Sequence, residues 1–276
     1  MENLIKAGRL FFALMLIGLA GQQLADGYFR PVLIPAYATS FPGEIVLVYL
    51  LSAILIVAAA GIVLNRQGRT LSLALAGLLG GLFLFCHVPY ELWVDPAGRS
   101  IGGWNNALKE SAMVGGALMV AGSYRGEFGY GRIFFAVTMI VFGLEHFLYA
   151  EFVQYLVPGW IPGHLFWTYF AGAALIAAGL GFILRVQLRL AGLLLGGVIF
   201  IWFLVLHIPR AVAAPVTDKG NELASVFESL GFSGIAFLIA YSYPYALFYP
   251  TNLHQTGAGE GVRRIRSGGH PVDRPL

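Results

Sequence analysis

Cysteine and charge are what this sequence has least of. Cys86 is the only cysteine, so no intrachain disulfide can form, and the Cys-x-x-Cys of thiol exchange and the Cys-x-x-Cys-His of haem attachment are excluded. Charged residues occupy 11% of the 276 positions, against about 25% in a soluble domain. Too little charge is available to cover a water-facing surface. There is also no P-loop, no Gly-rich dinucleotide fingerprint and no His-Glu-x-x-His zinc motif. The basic stripe with interleaved aromatics that marks a nucleic-acid binder is missing too. A metal held by His146, Glu145 and His87 would have no recognisable ligand spacing, so no metal site is expected.

What the chain has in quantity is apolar sequence: 58% of residues are hydrophobic and the mean hydropathy is +0.75. A membrane-spanning helix needs roughly 20 apolar residues to cross about 30 Å of hydrocarbon. Four runs meet this directly, at 45–64, 70–90, 165–184 and 190–209. Four more, at 9–29, 104–124, 132–152 and 223–243, reach a full span only by taking polar groups into the membrane. The expectation is an all-α membrane protein of about eight spans, with the lipid bilayer as its main partner.

Lysine and arginine counts give an orientation. With a cytoplasmic N-terminus, twelve basic residues fall on the inner side and five (Arg30, Arg99, Lys109, Arg210 and Lys219) on the outer. The positive-inside rule then places both termini in the cytoplasm, as for a protein of the bacterial inner membrane. Lys6 and Arg9 ahead of an apolar run also resemble a secretory signal. The internal repeat argues for retention, because it makes this run the counterpart of a later span. Residues 251–276, rich in Gly, Arg and Pro, are expected to form a disordered cytoplasmic tail.

The repeat is read from ordered matches. Arg9-Leu10-Phe11-Phe12-Ala13 recurs as Arg132-Ile133-Phe134-Phe135-Ala136, and Leu33-Ile34-Pro35 as Leu156-Val157-Pro158, both at an offset of 123. At an offset of 120, Pro42-Gly43 matches Pro162-Gly163, Arg69 matches Arg189, and His87-Val88-Pro89 matches His207-Ile208-Pro209. At 118, Glu110-Ser111 matches Glu228-Ser229. Two tandem four-helix units are expected, 1–127 and 128–250. An even number of spans per unit makes them parallel repeats about a pseudo-two-fold along the membrane normal. Glycines such as Gly115, Gly116, Gly172, Gly179, Gly192, Gly196 and Gly197 suit close helix contacts.

A unit with an Arg-led first helix, a Leu-Val-Pro/Pro-Gly loop, a third helix ending in His-x-Pro and an acidic fourth helix resembles the DoxX family of small four-helix membrane proteins. The second half is the closer match, through Leu144-Glu145-His146-Phe147 and Leu156-Val157-Pro158-Gly159-Trp160-Ile161-Pro162 with Trp167. The first half has Gln22-Gln23 where the second has Glu145-His146. The resemblance implies a four-helix fold per unit and, through some relatives, sulfur-compound oxidation feeding quinone; distant relatives act in cargo export.

Helix rise places the polar residues in one layer. Glu145 and Gln22 each lie 13 residues after a basic residue at the inner end, about 20 Å deep. Glu110 and Glu228 reach the same level from the opposite direction. His146, Gln23 and Lys109 stand beside them, with His87 and His207 just above, at the outer interface. Charged groups in spanning helices are functional candidates by default. These nine residues form the candidate site: an outward-facing polar pocket in each half whose carboxylates are paired or protonated. Against this stand structural pairing or helix-end placement for Glu110 and Glu228, interfacial helix ends for His87 and His207, and interface anchoring for Trp93, Trp160, Trp167 and Trp202. Two functions survive: a membrane oxidoreductase subunit binding a quinone or small substrate, which needs a redox partner subunit, and a non-enzymatic carrier or scaffold for lipid, solute or exported protein.

Overall fold

The computed structural model describes residues 2–36, 42–95, 100–126, 129–214 and 220–242. The expected tail, 251–276, lies outside the described residues. Those described are helical or loop, with no strand. In chain order the helices are α1 (Glu2–Asp26), α2 (Glu44–Val63), α3 (Gly68–Val94), α4 (Asn105–Ser123), α5 (Gly131–Leu148), α6 (Ala150–Gln154), α7 (His164–Leu184), α8 (Leu188–Ala213) and α9 (Asn221–Ala240). Among the described residues seven of these, all but α4 and the short α6, are long and apolar enough to cross a membrane. Their outward faces carry residues such as Phe85, Val57, Phe166 and Leu194, all well exposed. Apolar faces of this kind suit a lipid bilayer and fit an integral membrane protein.

Local chemistry sets the helix ends. Gly43 and Gly163 start α2 and α7 in the left-handed conformation, with φ of 86° and 75°. The tight turns between α2 and α3 and between α7 and α8 use left-handed non-glycine residues, Asn65 and Gln67 in one and Arg185 and Gln187 in the other. Each such residue costs about 1–2 kcal/mol, so these turns are held by the helices they join. At the end where α1 begins, arginines cap helix C-termini. The Arg9 guanidinium donates to the Ser123 hydroxyl and carbonyl, both at 2.7 Å, and covers the Tyr124 ring at 3.7 Å. Arg132 donates to the Phe182 carbonyl at 3.1 Å. A cation among free carbonyls at a helix C-terminus is favourably placed in the dipole field.

Both α3 and α8 widen into a π turn, at Phe83–His87 and at Phe203–His207. In each the next N–H reaches five residues back, Val88 to Phe83 and Ile208 to Phe203. The prolines follow at once, Pro89 and Pro209. A proline ring clashes with the carbonyl four residues earlier, and the wide turn moves that carbonyl aside. The helices therefore continue beyond both prolines, to Val94 and Ala213. This corrects the expectation that the helices end at His87 and His207; His87 is wholly buried and His207 lines a cavity.

The neighbours form a closed circuit. Helix α1 packs against α2, α2 against α3, α3 against α4, α4 against α5, α5 against α7, α7 against α8, α8 against α9, and α9 returns to α1. The contacts of α1 with α9 are far more extensive than those with α4, the last helix of its own expected unit. Helix α5 likewise meets α4, across the expected boundary at 127/128. Backbones nearly touch at both crossings: a methyl on Gly8 would stand 2.8 Å from the Gly234 carbonyl oxygen, and one on Gly131 2.6 Å from that of Gly115. Gly143 and Gly172 make a third such contact between α5 and α7, whereas Gly197 faces open space. Helices α4 and α9 also touch across the middle of the circuit and are buried over most of their length.

Candidate functional site

The polar layer read from the sequence separates into two places. In the first half it is enclosed within the protein. Gln23 donates to the Ser52 hydroxyl at 3.0 Å and accepts from the Arg30 backbone N–H at 3.2 Å. Gln22 donates to the Gly220 carbonyl at 3.0 Å. His87 Nε2 lies 3.2 Å from Glu110 Oε2, and both side chains are fully enclosed. Arg30 is also wholly buried and pairs with Asp26 at 3.1 Å. Gln22, Gln23, His87 and Glu110 therefore leave no opening for a ligand.

A cavity of about 780 Å³ opens between α4 of the first half and α5, α7, α8 and α9 of the second. It holds the other five candidate residues: Glu145, His146, Lys109, Glu228 and His207. Lys109 Nζ bonds Glu228 Oε2 at 2.8 Å, bridging α4 and α9. The Asn105 amide, oriented with its nitrogen toward α5, stands 2.7 and 3.0 Å from the two Glu145 carboxylate oxygens. His146 Nδ1 lies 2.7 Å from the Phe142 carbonyl oxygen. Near His207, Arg210 grips both oxygens of Glu222, one of them at 2.9 Å from Nε. Between these polar groups the wall is aromatic: Phe142, Tyr149, Phe152, Trp167, Trp202 and Phe232.

The two halves differ at identifiable positions. At an offset of 123, Arg30 corresponds to Val153, and at 120 Leu51 corresponds to Ala171. Arg30 and Leu51 are buried filler in the first half, while Val153 and Ala171 line the cavity. Replacing one long and one branched side chain by smaller ones leaves space that close-packed interiors do not otherwise leave.

Several contributors escaped the sequence reading. Asn105, Asn106, Asn221 and Ser225 line the cavity, and short polar residues near helix starts are common enough that nothing singled them out. Trp167 and Trp202 were expected as interface anchors, yet they line the cavity and meet edge to face at 6.4 Å. Trp93 and Trp160 are largely exposed, as anchors would be. Among the described residues no three His, Cys, Asp or Glu side chains come close enough to hold a metal ion.

No protein-family profile, curated protein or solved structure matches the chain. The site is therefore interpreted from its own chemistry. It combines an apolar aromatic slot with a carboxylate, an imidazole and a buried ion pair, the composition of a ligand pocket rather than of a packed core.

Proposed function

We propose that the chain is a DoxX-like integral membrane subunit that binds a quinone, or a small ring compound of similar build, in the α4–α9 cavity as part of a membrane oxidoreductase assembly. The observation that carries this reading is the aromatic cavity itself, with Glu145 and His146 on one wall. A quinone site needs proton-exchanging groups beside an apolar slot. The chain's residues would bind and orient the ring and handle protons; a partner subunit would carry the electrons.

In this reading the chain has eight spans, both termini are cytoplasmic, and the halves are parallel copies of one unit exchanging their first and last helices. Support comes from the 120-residue spacing shared by the left-handed residues and the π turns. Helix α4 serves as the eighth span because Asn105, Lys109 and Glu110 each meet a partner within the protein, which removes the main cost of polar groups in lipid. A carrier with a shared central route is the less favoured reading, since the cavity is lined mostly by the second half, with α4, Pro31 and Ala36 from the first, while Gln23, His87 and Glu110 find their partners within the first half.

Purification in mild detergent, followed by mass spectrometry and an optical spectrum of co-purifying molecules, tests the proposal. A bound quinone or a redox subunit is the expected result; lipid alone, with no partner, would favour the carrier. In the variant Glu145→Gln with His146→Ala, ligand retention should be lost while membrane insertion is kept. Unchanged retention would remove these residues from the site. Ala171→Leu, which restores the side chain of the first half, should lower affinity at least about tenfold by occupying the slot. Equal affinity would place the ligand elsewhere.

A further inference from the structure

The hydrogen-bond polarity of the cavity wall is legible, and it distinguishes between oxidation states of a ring ligand. A carbonyl oxygen has no hydrogen to give, so the contact between His146 and the Phe142 carbonyl requires Nδ1 to carry the proton. In the neutral ring Nε2 is then a bare acceptor, and no described residue bonds it. The neighbouring Glu145 is engaged by the Asn105 amide when that amide is turned with its nitrogen toward α5. Glu228 Oε2 is taken by Lys109. His146 therefore offers the cavity a lone pair and no N–H, while donors elsewhere in the lining, such as Lys109 and Ser225, can serve the ring's other oxygen in either oxidation state.

Acceptors on a wall select a donor on the ligand. From this polarity, and resting on the ring-binding reading above, we infer that the cavity selects an aromatic ring bearing hydroxyl groups, the quinol rather than the quinone. A quinol hydroxyl gives its hydrogen to His146 Nε2 while the ring lies among Phe142, Trp167 and Trp202. A quinone carbonyl in the same place sets oxygen against a nitrogen lone pair, and burying two acceptors face to face forfeits the desolvation of both. The first half has no such wall, because both ends of the corresponding Gln23 amide are already bonded.

The test is equilibrium binding to the full chain in mild detergent, followed by tryptophan fluorescence under oxygen-free conditions. The probes are a short-chain benzoquinol, its quinone, and the dimethyl ether of the quinol. The quinol should bind roughly tenfold more tightly than either of the others, the value of one well-made hydrogen bond. In His146→Phe the wall stays aromatic and loses the acceptor, so the quinol-to-ether ratio should fall severalfold with little change for the ether. Binding of the quinone as tight as that of the quinol, or an unchanged ratio in the variant, would overturn this inference and leave the ring-binding reading in place. If none of the three probes binds, that reading falls and takes this inference with it.

Discussion

Replacement of Lys109 by methionine is expected to cost about 3 kcal/mol of stability and to abolish ligand binding. Lys109 and Glu228 are joined at 2.8 Å, with 18% and 5% of their side chains accessible. Removing one partner of a buried pair leaves the other charge without compensation, which costs about 3–5 kcal/mol. The lower end of that range applies because Lys109 keeps contact with the open cavity. The check is a double-mutant cycle read by thermal unfolding in detergent. Glu228→Gln added to Lys109→Met should restore most of the loss, since no unpaired charge then remains. If the double variant is no more stable than the single one, the two residues are not coupled and the bridge between α4 and α9 is not what Lys109 supplies.

Gly131→Val should be at least as damaging, and for a different reason. Helices α4 and α5 cross backbone to backbone there, and even a methyl on Gly131 would stand 2.6 Å from the Gly115 carbonyl oxygen and 2.8 Å from the Leu118 side chain. A carbonyl within a helix cannot rotate away as a side-chain tip can. Relief requires the two helices to separate, and overpacking of this kind costs about 3 kcal/mol. The expected result is loss of the monodisperse species on size exclusion. Gly197→Ala, at a glycine with nothing within 4 Å, is the control and should behave as the parent. A monodisperse Gly131→Val protein of normal stability would mean that the crossing is looser than described.

The helices themselves were legible: each expected span overlaps an observed helix, seven of which are long and apolar enough to cross a membrane, because length and apolarity are set by the run itself. Helix rise also brought the right residues to a common neighbourhood along their helices, though they divide between an enclosed cluster and the cavity. Partnerships were not. Lys109 and Glu110 are adjacent in sequence, yet about 100° of helix rotation separates their side chains. One turns to Glu228 in the second half and the other to His87 in the first. Arg30 was counted as a charge of the outer loop, but its side chain is buried and reaches back to the exposed Asp26, four residues earlier. The order of neighbours was hidden for a general reason. In lipid every helix face is apolar, so hydropathy does not say which face meets which helix; the glycines that mark the crossings look like any other glycine in the run. The inequality of the halves was half visible: Gln22-Gln23 against Glu145-His146 announced different chemistry, but not that Arg30 and Leu51 close one site while Val153 and Ala171 open the other.

The contact between α1 and α9 joins the first and the last of the described helices. About 200 residues separate them, and at about 5–20 residues per second of synthesis α1 waits some 10–40 s in the membrane before its most extensive partner is made. During that interval Gly8, Gly18 and Gln22 lack the α9 side chains and the Gly220 carbonyl that cover them in the finished protein. A chain stopped short of residue 220 strips α1, α4 and α8 of a neighbour at once. Completion of α9 thus becomes the event that closes the circuit, and a product stopped before it differs over both halves rather than only at its broken end.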